Sequence, residues 1–322
     1  MTTTRDSVAP SQQQLPLVTI VIPAYNHASY LPQAVRSVLA QDYPRVELIV
    51  IDDGSTDDTA ATLAGLGSGF RWFTQQNGGQ SRTLARGWSE AQGEILGYLS
   101  ADDMLEPAGV SAAVAALQAD SNLVAVYPDF NLIDPASHVV RRVSAPDFDY
   151  HAMLTDVVCP IGPGAFFRKS AYLQAGPWNP SFRQMPDYDF WLRLGLTGGI
   201  ERMPRVLAGF RVHEGSQTYS VTTKERADEP IHIIDGLLAS PLAGNLSSDV
   251  ARDARVSALL VSAQLHLRAG RFADAAARMK SAVGTRWNAL FSLRTLRLLS
   301  NAAFNRVSHR LLWTAKALFK RS

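Results

Sequence analysis

Two pairs of adjacent aspartates stand at the ends of apolar runs in this 322-residue chain. Asp52 and Asp53 follow a run that ends at Ile51, and Asp102 and Asp103 come shortly after a second run. In open α/β sheets, ligands bind at the carboxyl ends of the strands. Carboxylates there suit Mg²⁺ or Mn²⁺, which bind carboxylate oxygens together with substrate phosphates. The two pairs therefore predict a site for a divalent metal and a polar, phosphate-bearing ligand.

Both aspartate pairs also have a purely structural interpretation, which the residues alone leave open. The segment from Asp52 to Ser55 has the composition of a strand-to-helix turn, in which Asp and Ser side chains cap free N–H groups. The second pair could cap a helix that begins near Pro107 in the same way. Either pair by itself is therefore moderate evidence for a ligand site.

Apolar strand patterns alternate with helical patterns through the first half of the chain. Strands are predicted at 18–22, 47–51, 71–74, 94–99 and 123–127, with helices between them. This alternation implies a parallel sheet with right-handed crossovers. A loop-rich section at 131–164, a helix at 187–196 and a strand at 206–212 complete the α/β part. We expect a disordered lead at 1–15, an α/β domain at 16–223 and a helical region at 224–322.

The helical region offers two features of its own. Residues 263–283 have the pattern of a single helical hairpin, because a solenoid needs at least three repeats. Near the end, apolar residues from Phe304 to Phe319 share one helix face and are accompanied by arginine and lysine. Such a helix could bind an anionic membrane surface or a protein partner, or it could pack on the rest of the chain.

Composition limits the class of protein further. Hydrophobic residues make up 46% of the chain, charged residues 19%, and the net charge of +2 indicates no nucleic-acid partner. The single cysteine, Cys159, excludes an internal disulfide, and its apolar neighbours favour a packed thiol. No run approaches the roughly 18 apolar residues that cross a bilayer, and residues 1–14 lack a signal-peptide pattern. We expect a cytoplasmic protein, with a peripheral position at the inner face of the cell membrane as an option.

The aspartate pairs belong to a longer series of motifs. The series consists of Val18–Asn26, Ile51–Asp57, Asn77–Gln80, Ala91–Glu94 and Tyr98–Asp103. In this order and spacing, the motifs resemble the family-two inverting glycosyltransferases of bacterial polysaccharide biosynthesis, over about residues 17–218. The resemblance implies a GT-A fold, which is an open, mixed, mainly parallel sheet with flanking helices. A C-terminal all-α region would follow that fold.

The resemblance also implies roles for individual residues. The nucleotide-binding positions would be Pro23, Ala24, Tyr25, Asp53, Gly79, Gln80 and Asp102. Asp103 would be the main ligand of Mn²⁺ or Mg²⁺, His213 a further ligand, and Asp187 the catalytic base. Ala85 and Pro186 depart from the pattern, because many relatives carry Asn and an acid at these two positions.

Asp187 and His213 keep a second interpretation, and Trp191 and Arg211 are further candidates for contact with the diphosphate or the acceptor. Asp187 could merely cap the helix that it opens, with Asp189 as the competing base. Trp191 could stack on a sugar or pack in the core, and Arg211 could offset the charge of a diphosphate. His213 could bind the metal or be an ordinary core or surface histidine.

The predicted reaction is inverting transfer of a sugar from a nucleoside-diphosphate sugar to a hydroxyl of a glycan or lipid-linked acceptor. Two other classes of protein would share some of these features, and the sequence offers evidence against each. A nucleotidyltransferase would share the sheet and the metal acids, but its glycine-rich, basic triphosphate loop is absent after residues 18–22. A non-catalytic sugar-nucleotide-binding scaffold would need neither Asp103 nor Asp187, both of which are present.

Overall fold

The computed structural model describes residues 15–213, 222–291 and 295–296. Its strands are β1 Val18–Ala24, β2 Val46–Asp52, β3 Arg71–Thr74, β4 Ile95–Tyr98, β5 Met104–Leu105, β6 Leu123–Ile133, β7 Val139–Val143, β8 Phe166–Arg168 and β9 Gly199–Arg211. Its α-helices are α1 Leu31–Leu39, α2 Thr59–Gly65, α3 Gln80–Glu90, α4 Gly109–Ala119, α5 Tyr150–Asp156, α6 Lys169–Ala175, α7 Pro186–Leu194, α8 Lys224–Ala227, α9 Glu229–Ala239, α10 Ser248–Ala269 and α11 Phe272–Thr285.

One mixed sheet contains all nine of these strands, in the order β3-β2-β1-β4-β8-β6-β9-β5, with β7 paired to β6. The first four strands along this order run parallel, as their connection through α1, α2 and α3 requires. β8 is antiparallel to both of its neighbours, β4 and β6, whereas β9 runs parallel to β6. The predicted mixed α/β sheet with flanking helices is therefore confirmed.

Alternating side chains of the central strands build two cores, one on each face of the sheet. Ile20 and Ile22 face the layer formed by α1, α2 and α4. Val21 faces the opposite layer, where α3, α6 and α7 pack. Gly87 lets α3 approach β1 closely, since a Cβ there would lie 2.4 Å from Val21. Because both faces are covered, the central strands are mostly apolar, which is typical of parallel strands.

The C-terminal helices α9 and α10 share the core of the second face. Ile233 and Ala254 are fully buried in the same cluster as Leu154 of α5 and Phe190 of α7. Burial of this apolar surface joins the helical region to the sheet. α10 and α11 form the predicted helical hairpin, with Gly270 between them in the left-handed conformation at φ +80°.

Asp228, at the start of α9, connects the C-terminal helices through polar contacts. Its carboxylate accepts hydrogen bonds from Ser262 at 2.6 Å and from two nitrogens of Arg278 at 2.8 and 2.6 Å. The ring of His266, which is fully buried, lies 3.2 Å from the same carboxylate. Burial opposes ionisation, but these contacts together hold the pKa of Asp228 well below its usual range.

The structure differs from the predicted elements where strand pairing decides. The section 131–164, expected to be loop-rich, contains β7 and α5, and β9 begins at Gly199 instead of residue 206. β7 forms a hairpin with β6, the strand before it, and β9 pairs with β6 from a distant part of the chain, so the partner strand stabilises segments with weak strand patterns. The predicted disordered lead and the basic helix of 304–321 fall almost wholly outside the described residues. Within the described part, no helix combines the length and the apolar character needed to span a membrane.

We predict that Asp228→Ala destabilises the fold by about 2 kcal/mol, because it leaves Arg278 and the buried His266 without their anion. Urea unfolding of the full chain measures the change. The matched control is Asp249→Ala, which removes an exposed pair with Arg252 on α10. This control should change the free energy of unfolding by less than about 0.5 kcal/mol. Equal effects of the two variants would contradict the role assigned to Asp228.

Candidate functional site

A cleft of about 410 Å³ opens where β1, β2 and β4 end. The topology explains its place, because parallel strands deliver their carboxyl ends to one edge of the sheet. Its lining residues are Pro23, Ala24, Tyr25, His27, Asp53, Asn77, Gly79, Gln80, Thr83, Ser100, Ala101, Asp102, Arg183 and Phe210. All seven residues that the sequence predicted for nucleotide binding are therefore brought together around one space.

Asp53 fixes the backbone of one wall of this cleft. Its Oδ1 accepts hydrogen bonds from Gln75 Nε2 and from the Gly78 N–H, both at 2.8 Å, and its Oδ2 accepts one from the Gly79 N–H at 2.7 Å. Hydrogen bonds to a carboxylate are stronger than those between neutral groups. Asp53 thus holds the turn of Gly78 and Gly79 while it also lines the cleft. Its neighbour Asp52 has the capping role that the sequence left open, because its Oδ1 accepts the Ser55 N–H at 3.0 Å.

Arg183 is a cleft residue that the sequence analysis missed. Its guanidinium lies against Gly79, where an added Cβ would be only 1.7 Å from Nη1. Gly79 also has φ +82°, a conformation that favours glycine. Its position in the sequence could have pointed to it, because Arg183 precedes the predicted base Asp187 by four residues. It places a positive charge in a cleft that otherwise contains the carboxylates Asp53 and Asp102.

Asp102 lies between two imidazole rings at the end of β4. Its Oδ2 is 2.9 Å from His213 Nε2 and 3.8 Å from His27 Nε2. One ligand atom from each of the three residues lies within 4.8 Å of the others. Imidazole nitrogens with a carboxylate oxygen form a donor set that suits Mn²⁺ and other divalent ions. Although burial opposes ionisation, the nearby imidazole of His27 and the hydrogen bond with His213 lower the pKa of Asp102, so a carboxylate is present at neutral pH.

The next residue, Asp103, is placed differently from its predicted role as the main metal ligand. It is 3% exposed, and its Oδ1 accepts a hydrogen bond from the Arg211 N–H at 2.9 Å. Burial and the negative charge of Asp102 raise the pKa of Asp103 well above its usual range. In this structure, the carboxylate that faces both histidines is that of Asp102. We therefore transfer the proposed metal contact to Asp102, together with His213 and the previously unassigned His27.

Asp187 occupies the first turn of α7, beside the same end of the sheet. Burial raises the pKa of its carboxyl group. Burial also raises the pKa of Tyr98, the last residue of β4, and the negative charges of Asp187 and Asp103 raise it further. The charges of both carboxylates thus act on the end of β4. Asp189, the competing candidate base, instead accepts hydrogen bonds from Arg193 at 2.7 and 3.2 Å, as expected of a structural group.

Two further predicted contacts point away from the cleft. Trp191 is 1% exposed and packs edge-on against Phe167 and Phe190, so the core interpretation applies and not stacking on a sugar. Arg211 is also 1% exposed, and its guanidinium donates to the Asp102 carbonyl, to the carbonyls of residues 134 and 135 and to two side chains. These contacts use the guanidinium to hold loops together, so Arg183 is the better candidate to face a diphosphate.

Comparison with known proteins identifies a matching family model and several sequence relatives. The family model described as Glycosyl transferase family 2 matches residues 19–174. An uncharacterized glycosyltransferase of Rickettsia typhi is 32% identical over 211 residues, which are 63% of this chain and 66% of that protein. The chondroitin synthase of Pasteurella multocida is 29% identical over 209 residues, 64% of this chain and 21% of the synthase. The chain thus spans just under two thirds of the first relative and about a fifth of the second.

Two solved structures have the same fold. Residues 1–349 of Staphylococcus aureus TarS, in complex with UDP-GlcNAc, superpose with a TM-score of 0.65 and 16% identity. That match covers 91% of this chain and 88% of the TarS chain. The mannosyltransferase PcManGT of Pyrobaculum calidifontis, in complex with GDP-Man and Mn²⁺, gives a TM-score of 0.59 and 17% identity, with coverages of 95% and 90%. At these identities the similarity shows the fold, which is the GT-A type.

We predict that Asp102→Ala and His213→Ala each weaken Mn²⁺ binding by about tenfold or more, because each removes a ligand atom of the three-residue group. Titration of the full chain with Mn²⁺, followed by calorimetry or electron paramagnetic resonance, measures the affinity. His138→Ala is the matched control, since His138 is an exposed histidine paired with Asp134. A larger loss of affinity in Asp103→Ala than in Asp102→Ala would restore Asp103 as the main ligand.

Proposed function

The chain belongs to glycosyl transferase family 2, and from this premise we propose that it transfers a sugar, with inversion, from a nucleoside-diphosphate sugar to a hydroxyl group. The acceptor class that we propose is a glycan or a lipid-linked saccharide. Relatives named chondroitin synthase and hyaluronan synthase support the glycan option. Neighbours in complex with UDP-GlcNAc and with GDP-Man support the donor class.

The observation that carries this proposal is that the cleft combines several kinds of chemical group. Asp53 and the turn that it holds form one wall, where hydrogen-bond acceptors suit the N–H groups of a base and the hydroxyls of a ribose. Arg183 supplies the positive charge that a diphosphate needs. His27 and Asp102, which line the same cleft, offer a divalent-ion site together with His213. One cleft thus combines contacts that suit a base or ribose, a diphosphate and a divalent ion.

In the proposed reaction, Asp187 accepts the proton of the acceptor hydroxyl as its oxygen attacks the anomeric carbon. The bond from that carbon to the diphosphate breaks on the opposite face, and the bonding electrons leave with the diphosphate, so the configuration inverts. Arg183 stabilises the negative charge that develops on the leaving group. A bound divalent ion would neutralise part of the same charge. The raised pKa of Asp187 suits this role, because a base works best with a pKa near the working pH.

We predict that Asp187→Asn lowers kcat by about 10²- to 10⁴-fold, because the amide cannot accept the proton. The measurement is release of nucleoside diphosphate from a panel of UDP-, dTDP- and GDP-sugars, with Mn²⁺, with Mg²⁺ and with a chelator. Proton NMR of the first-formed sugar anomer tests inversion. Donor binding without turnover by the unaltered chain would instead indicate a non-catalytic sugar-nucleotide-binding scaffold.

The stability of the same variant serves as its control. Because burial raises the pKa of folded Asp187 above its unfolded value, the charged carboxylate disfavours the folded state at neutral pH. The stability that this group contributes is fully present below the unfolded pKa and is lost as pH rises through the folded pKa. We therefore expect Asp187→Asn to have a Tm at pH 7.5 that is equal to or higher than that of the unaltered chain. A lower Tm would mean that lost activity reflects damage to the fold.

We also predict that the acidic limb of the kcat profile lies at a higher pH than an ordinary aspartate would give. The reason is that Asp187 must be deprotonated to act and that burial raises its pKa. Activity should therefore fall as pH decreases through the raised pKa, and the residual activity of Asp187→Asn should lack this limb. A limb that persists in Asp187→Asn would assign the titration to another group.

A further inference from the structure

A buried carboxylate of the C-terminal helices reaches the cleft side of the molecule. Glu229 is the first residue of α9 and is 5% exposed. One of its oxygens accepts a hydrogen bond from the Arg183 N–H at 2.8 Å. The other accepts from the N–H groups of Gln184 at 2.7 Å and Met185 at 3.0 Å. Three successive backbone amides, the 183–185 segment, are thus bound by a single side chain.

The 183–185 segment lies between two groups of the proposed reaction. At one end, the side chain of Arg183 enters the cleft beside Gly79. At the other end, α7 begins at Pro186, and Asp187 stands in its first turn. Both Arg183 and Asp187 are therefore at most two residues from a backbone amide that Glu229 binds. Rotation of the segment would move the positive charge and the base together.

Other contacts fix the positions of the 183–185 segment and of Glu229. The side-chain oxygen of Gln184 accepts a hydrogen bond from Thr222 at 3.2 Å, and Arg271 donates to the Thr222 carbonyl at 2.9 Å. The α9 helix that carries Glu229 is fixed by the burial of Ile233 and Ile234 in the core. The carboxylate of Glu229 also stands in the first turn of α9, where the helix dipole favours a negative charge.

Glu229 does more than supply hydrogen-bond acceptors for the N–H groups of residues 183–185. Backbone N–H groups next to an exposed residue such as Arg183 can bond water at little cost. A buried carboxylate with three donors instead selects one backbone geometry, because bonds to a charged acceptor are strong and directional. We propose that Glu229 is a positioning residue, through which the C-terminal helices set the arrangement of Arg183 and Asp187. This inference rests on the proposed transfer reaction.

The test compares Glu229→Gln with Asp235→Asn in the full chain. Glu229→Gln replaces one acceptor oxygen by an NH₂ group, which opposes at least one of the three N–H donors. Asp235→Asn is the matched control, because Asp235 is a carboxylate of the same helix that pairs with Arg255 within the helical region. We expect kcat for donor turnover to fall about 10- to 100-fold in Glu229→Gln, since small misplacement of a reacting group has effects of this size. The Kd for UDP or GDP should rise as well, and Asp235→Asn should change neither quantity.

A double-variant comparison separates positioning from general damage. In the Asp187→Asn background, Glu229→Gln should lower the residual kcat at saturating donor by less than it does in the unaltered chain, because there is no longer a base to misplace and only the displacement of Arg183 remains. The rise in nucleotide Kd should persist there, since Arg183 is still displaced. An equal fall of kcat in both backgrounds would overturn the proposal, as would a Glu229→Gln variant that behaves like Asp235→Asn.

Two arrangements keep this test decisive. If Glu229→Gln unfolds at the assay temperature, Glu229→Asp retains the charge but shortens the reach. We then expect a smaller fall of kcat than in Glu229→Gln, and a fall that is smaller again in the Asp187→Asn background. Unchanged kcat in Glu229→Asp would then overturn the proposal. If the unaltered chain turns over no donor, the proposed function fails by itself. The Kd for UDP or GDP would in that case still test whether Glu229 sets the position of Arg183.

Discussion

The parallel pairing of β1 with β2 on one side and β4 on the other is the constraint on which the structure depends. Parallel strands satisfy their backbone groups only with neighbours that return through crossover helices, and this places all three carboxyl ends at one edge. Pro23, Asp53 and Asp102 are distant in sequence but meet there around one cleft. The apolar faces of the same strands fill two cores, so the site stands at the end of strands that are packed on both faces.

The carboxylates around that edge differ through their partners and not through their residue type. Asp53 is held by backbone N–H groups and shapes a turn. Asp102 faces two imidazoles and stays ionised, whereas burial and the charge of its neighbour raise the pKa of Asp103. Burial of Asp187 raises its pKa in a place where a proton acceptor is proposed. Environment thus distinguishes a proposed cation contact, a structural hydrogen-bond acceptor and a proposed base among residues of one type.

The C-terminal helices are part of the framework of the site and not an independent unit in this arrangement. They share a core with α5 and α7, and Glu229 binds the backbone that carries Arg183 towards the cleft. This couples the proposed donor site and base to helices that lie more than 40 residues further along the chain.

The sequence by itself determined the mixed α/β fold, the helical hairpin and the seven cleft residues predicted for nucleotide binding, because these follow from local periodicity and from motifs that the chain presents in order. Only the tertiary structure decided which of two adjacent aspartates faces the histidines, since neighbouring side chains point in different directions and a motif does not record which one. It also buried Trp191 and Arg211, whose spacing fitted either role. Arg183 and Glu229 were missed by the sequence analysis for a related reason. Arg183 enters the cleft, and Glu229 binds the 183–185 segment. Both do so through contacts between separate segments, which no local sequence pattern specifies.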